Sequence, residues 1–216
     1  MSTNNHKYGD YITYALPERF VKYYKNSAAR LPVAVAGDKV PPLFFHEDEI
    51  IQNADLSGAN AQGFVALVEL LERPLVLSFF SIHWNDYGIQ HLQHLQSLHA
   101  QVRQAGGTLL VLTSEDRKFI EPLIAQYGLT FDIIHDKDNA VAEKLGLYHE
   151  AAPIWDLVSG INEHVPVPGT YVVNPAKNIV YGGSDTYLQQ SVNAEELLHA
   201  LNYAANANRL VARIHN

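Results

Sequence analysis

Cysteine is absent from the 216-residue chain, and that one absence removes disulfides, thiolate nucleophiles, iron–sulfur clusters and thiolate zinc sites together. Any redox chemistry needs a borrowed cofactor. Positive charge is scarce as well: 15 Lys and Arg stand against 23 Asp and Glu, for a formal charge of -8. Such a field repels phosphate backbones and anionic lipid surfaces, so nucleic acid and membranes are poor partners. No apolar run approaches a membrane span, and Met1 to Lys25 holds no apolar core of the secretory type, which makes a cytoplasmic location the expectation. Internal repeats, low-complexity tracts, a Gly-rich phosphate loop, His-Glu-x-x-His and Gly-x-Ser-x-Gly are all missing. Asp136-Lys137-Asp138-Asn139 begins like a calcium loop, but the glycine and terminal glutamate that should follow are not there. It reads as a turn and cap before a helix.

What is present suffices for one domain, because 47% of the residues are hydrophobic and only 18% charged. Residues 1–36 read as an extension, crowded with Tyr8, Tyr11, Tyr14, Phe20, Tyr23 and Tyr24, and with a helix starting at Pro17-Glu18. Such an arm either packs on its own domain or reaches a second subunit, since tyrosine joins large area to a hydrogen-bonding tip. Residues 37–216 form the domain proper. Pro74 to Phe80 is a continuous apolar run of strand length, which fits a central strand covered on both faces. A helix follows over about Asp86–Ala105, with Leu92, Leu95, Leu98 and Val102 three and four apart, and Gly106-Gly107 stops it. Thr108–Thr113 is a second buried strand, and Glu115–Tyr127 a helix closed by Gly128. Phe131–Ile134 is a third strand, followed by a short helix over Asn139–Leu145. Two more strands, Gly169–Val173 and Asn178–Tyr181, flank the turn Asn174-Pro175-Ala176-Lys177, and a helix over Asn193–Ala205 closes the chain. Strands alternating with helices and ending in a hairpin predict an α/β domain, a mixed central sheet flanked by helices.

Four segments in this order resemble the AhpC/TSA (redoxin-type) peroxiredoxins: Gly37-Asp38-Lys39-Val40-Pro41-Pro42, Phe79-Phe80 leading into Trp84, Val167-Pro168-Gly169-Thr170-Tyr171-Val172, and the Asp185-Thr186-Tyr187-Leu188-Gln189-Gln190 stretch. The resemblance covers about residues 37–204 and implies a thioredoxin-like fold with Pro168 as a cis-proline beside the active site. It also implies that Trp84, Pro168 and Gln189 belong to the pocket, to which the position of His164 just before the Pro168 loop adds that residue. The chain departs from the family where the family's chemistry lies. Trp-Cys-Pro-x-Cys is replaced by Trp84-Asn85-Asp86-Tyr87-Gly88, the family's threonine falls at Ile82, and its arginine falls near Gln189 and Gln190. Thiol peroxidase and disulfide exchange both require a thiolate, so neither reaction is open to this chain.

Two readings apply to the vacated loop. Asn85 and Asp86 are good residues for the start of a helix. Alternatively His83, Asn85, Asp86 and Tyr87 supply acid-base or ligand-binding groups to the old pocket. His91 and His94 share a helix face, but Gln90, Gln93 and Gln96 interleave with them, as on a solvated surface, whereas His99 falls within the leucine stripe. Ligands of open α/β sheets bind beyond the carboxyl ends of strands. His83, His135 with Asp136, His149-Glu150 and Glu163-His164 all follow or precede such ends, and Trp155 and Asp156 share the long loop. Together His83, His135, His149 and His164 make a candidate ligand set for zinc, iron or copper, although no cofactor is required. Three functions remain open: a pocket turned to a small molecule or a protein partner, an enzyme of non-thiol chemistry, or a structural subunit of a homodimer.

Overall fold

A computed structural model of the chain describes residues 31–53, 63–190 and 192–214, with side chains as far as residue 207. The tyrosine cluster and the helix predicted after Pro17 lie outside the described residues. In chain order the elements are β1 (Phe44–His46), β2 (Ile50–Gln52), β3 (Phe64–Ala66), α1 (Leu67–Leu70), β4 (Leu75–Phe80), α2 (Asn85–Gln104), β5 (Thr108–Thr113), α3 (Arg117–Tyr127), β6 (Asp132–His135), α4 (Ala140–Lys144), β7 (Gly169–Val173), β8 (Ile179–Ser184) and α5 (Ala194–Ile214).

The six-stranded sheet runs β2-β6-β5-β4-β7-β8. β4, β5 and β6 are parallel, while β2, β7 and β8 run antiparallel to their neighbours. β1 and β3 pair separately. Successive side chains of a strand point to opposite faces, so β4 divides its residues between two cores. Leu75, Leu77 and Phe79 join Trp84, Leu110, Leu112, Ile134 and Tyr171 on one side. Val76 and Phe80 join Leu92, Leu95 and Val102 of α2, Ile120 and Leu123 of α3, and Leu197 and Leu201 of α5 on the other. Ser78 points the second way, towards α2, and is completely buried.

The mixed sheet flanked by helices matches the predicted architecture, and the boundaries shift for local reasons. Gly128 takes the left-handed conformation (φ 59°) and closes α3, and Gly146 (φ 71°) follows α4. The strand predicted over Phe131–Ile134 forms one residue later, where Asp132 to His135 pair with β5. Asn193 accepts the Glu195 and Glu196 amides at 3.1 and 3.2 Å and so starts α5, which continues well past Ala205 to Ile214. The predicted turn holds: the Lys177 amide donates to Asn174 O at 2.8 Å.

One feature implied for the active site is corrected. No cis peptide bond occurs among the described residues, so Val167-Pro168 is trans. Trans is the lower-energy state of an X-Pro bond. On either side of the bond, Val167 N–H donates to Leu147 O and Asp185 N–H to Pro168 O, each at 3.0 Å.

Candidate functional site

The loop that leaves β4 is tied down by a buried carboxylate. Glu115, just beyond β5, accepts from Ser81 Oγ (2.5 Å), from the Ile82 amide (3.1 Å) and from the Thr113 hydroxyl. Ser81 Oγ in turn accepts the His83 amide at 3.1 Å. Trp84 is buried, its indole N–H donating to Pro166 O at 2.9 Å, and it therefore belongs to the core under the site rather than to a cleft wall.

Asn85 does not act as the predicted side-chain cap. It joins the turn to α2 with φ 55° and ψ -135°, a conformation that only glycine adopts freely. Its side chain and that of Asp86 are exposed and line neither of the two clefts described next. At Gly88 helix and loop come so close that a Cβ would lie 2.5 Å from Ser81 O.

The first cleft, about 670 Å³, opens between α2, β7, β8 and the segment after Ser184. Tyr87, Pro168 and Gln189, three of the expected site residues, line it. One further wall residue is not apparent from the sequence pattern. His91 was placed on a solvated face, yet it is only 2% exposed. The reason is helical arithmetic: His91 stands four residues before Leu95 and shares its sheet-facing stripe. Its Nε2 lies 3.0 Å from Ser78 Oγ, which lies 2.7 Å from Thr170 Oγ1. The other ring nitrogen, Nδ1, is buried without a hydrogen-bond partner.

Burial holds the His91 imidazole down to about 4, with His94 adding in the same direction, so it is neutral at pH 7. Burial likewise pushes the Tyr87 phenol up, helped by the Asp185 carboxylate, and its hydroxyl donates to Gln190 O at 3.2 Å. Tyr87 stacks on His91 with ring centroids 6.0 Å apart and planes 9° apart. Among the described residues no Lys or Arg lines this cleft, whereas Asp185 and Glu196 do. The site thus offers neutral hydrogen-bonding groups and negative charge.

The second cleft, about 740 Å³, lies beyond the carboxyl ends of β5 and β6. It brings together His83, His135, Glu163 and His164, as the strand-end argument expected. His149 stays out of it, accepting the Ala151 amide at 3.1 Å. Asp136 is buried beneath and caps α4, accepting the Val141 and Ala142 amides at 2.7 and 3.0 Å, while burial raises its carboxyl to about 6.

The zinc, iron or copper site drawn from His83, His135, His149 and His164 finds no support. Among the described residues no three His, Asp or Glu side chains are grouped to hold a metal ion. Several of these rings are engaged elsewhere: His135 Nε2 is 3.2 Å from Ser114 O, and His164 Nδ1 is 3.4 Å from Tyr148 OH.

The fold has many relatives of known structure. Peroxidoxin BcpB from Mycobacterium tuberculosis aligns with a TM-score of 0.58 at 14% identity, covering 78% of this chain and 97% of its own. The reduced 2-Cys peroxiredoxin of Plasmodium vivax aligns at 0.60 and 10% identity, over 82% and 84%. A mutant PrxQ of Xylella fastidiosa aligns at 0.56 and 18% identity, over 79% and 96%. These identities establish a common peroxiredoxin-type, thioredoxin-like fold. No curated protein sequence matches the chain. Residues 49–182, however, match the profile of the AhpC/TSA family, well over half of the sequence, and the chain belongs to that family.

Proposed function

We propose that this AhpC/TSA protein has no thiol peroxidase activity and that its first cleft binds a small polar molecule, neutral or cationic. The observation that carries the reading is His91: a neutral imidazole on the cleft wall, almost wholly buried and hydrogen-bonded through Nε2 to Ser78. Asp185 and Glu196, with no cation opposite, disfavour anions.

The test is a thermal-shift and NMR screen of neutral and amine-bearing fragments against the full chain. Saturable binding that perturbs the His91 ring signals, and that His91→Gln abolishes, is the expected result. Fragments that saturate nothing, or bind without touching His91, would overturn the reading.

A second reading, acid-base catalysis, is favoured by the Thr170-Ser78-His91 chain of hydrogen bonds, which links a wall hydroxyl to a buried base. In that case Thr170→Val removes turnover of a bound compound and spares its affinity. His83, Asn85 and Asp86 contribute to this reading only through the loop that carries them. The proposed homodimer is checked by sedimentation of the full chain, and the proposed cytoplasmic location by fractionation. No helix among the described residues is long and apolar enough to cross a membrane.

A further inference from the structure

The second cleft has a use that the reading above leaves untouched, and three independent features point to it. The first is charge. Asp138, Glu143, Glu150 and Glu163 line the cleft, all exposed, and none is in an ion pair among the described residues. Among the described residues Lys137 is the one Lys or Arg on the lining, with Lys118 beside it over the Phe119 ring.

The second feature is aromatic. Phe119 is 51% exposed on the cleft wall, and Tyr148 and Val165 line the same space. Lys118 Nζ, paired with Asp116 at 3.2 Å, sits 4.8 Å from the centroid of the Phe119 ring. A large exposed apolar ring beside carboxylates serves a ligand that has both a charge and a carbon frame.

The third is an orphaned acceptor. Asn139 is 5% exposed, lines the cleft, and donates from Nδ2 to His164 O at 2.9 Å, while its Oδ1 is buried without a partner. Asp138 and Asn139 both take φ 56°, two successive left-handed residues where the chain enters α4. An amide oxygen asks for an N–H or O–H donor. Excess negative charge excludes anions, and the lack of a three-ligand group disfavours a bare metal ion.

We propose that this cleft binds a small organic cation bearing primary amine or guanidinium groups: one N–H meets Asn139 Oδ1, the carboxylates take the remaining charge, and the carbon chain lies on Phe119 and Tyr148. The chemistry is that of a free polyamine or an alkyl guanidine.

Calorimetric titration of the full chain with spermidine and with agmatine tests this, with neutral N-acetylated spermidine as control. Saturable one-to-one binding of at least one of the two is expected, weakening between about 20 and 200 mM salt as the carboxylates are screened. The Glu150→Gln/Glu163→Gln double variant, altered only at exposed positions, should lose about tenfold or more in affinity. Asn139→Ala should lose a similar factor, with circular dichroism to confirm that it folds. No saturable heat at millimolar amine, or undiminished binding in the Gln double variant, would overturn the proposal. Binding of a Lys/Arg-rich peptide without binding of either free amine would overturn it too, in favour of a protein-docking groove.

Discussion

Two buried titratable groups give this protein opposing responses to acid, and replacing either one should expose the other. His91 titrates at about 4 in the folded chain against 6.5 when unfolded. The folded state therefore binds fewer protons over that interval, and the stabilisation present above pH 6.5 is lost as pH falls towards 4. At about 1.4 kcal/mol per tenfold change in proton affinity, the loss is about 3 kcal/mol. Asp136 runs the other way. Its carboxyl rises from 3.8 to about 6 on folding, so the folded state holds the extra proton. Its stabilisation is complete below pH 3.8 and disappears as pH rises through 6, again by about 3 kcal/mol. Between about pH 4 and 6 the two contributions nearly cancel. The assay is urea unfolding, followed by tryptophan fluorescence at half-unit pH steps, with each variant read as its difference from the parent chain. Asp136→Asn, freed of the acidic-side stabilisation, should gain about 3 kcal/mol relative to the parent from pH 4 to 6. His91→Gln should gain a similar amount relative to the parent as pH falls from 6.5 to 4. Differences that stay flat with pH would refute the assignment of these two groups.

Three further outcomes follow from the loop that replaced the cysteine motif. Asn85→Gly should stabilise the fold by about 1 kcal/mol, because glycine reaches φ 55° and ψ -135° without strain, and a loss of stability on urea unfolding would contradict that. Asn85→Cys should consume peroxide no faster than a free thiol of the same exposure, since Ile82 offers no hydroxyl and the arginine position is glutamine; stopped-flow peroxide decay decides it. Glu115→Ala should cost about 2–4 kcal/mol, as the Ser81 hydroxyl, the Ile82 amide and the Thr113 hydroxyl lose one shared acceptor. A change in thermal unfolding midpoint of less than a degree would show that the carboxylate does not anchor the loop.

The central sheet was legible because β4, β5 and β7 are buried on both faces, and such strands appear as unbroken apolar runs. β1, β2 and β3 left no such trace, being three residues each, too short for any periodicity to register. His83, His135 and His164 could be brought together from topology, because the rule about strand ends needs only the order of elements. The burial of His91 was hidden by its polar neighbours Gln90 and Gln93, although its spacing to Leu95 carried the signal. Ser78, a lone hydroxyl within an apolar strand, was the other unread clue, since a buried hydroxyl has to find a partner on the facing helix. Glu115 could not be foreseen at all. Nothing in the residues around it distinguishes a carboxylate that holds two loops together from one that faces water.

The crowding at Gly88 bears on the history open to this chain. Gly88 holds the place of the second cysteine in the family's motif, and any side chain there meets the Ser81 carbonyl at 2.5 Å. A codon change to cysteine would not by itself restore a dithiol, because the strand-to-helix loop has settled into the volume such a side chain would occupy. Backbone would have to retreat first, so the packing of the strand-to-helix loop stands against a cysteine pair being built at this site by side-chain substitution alone.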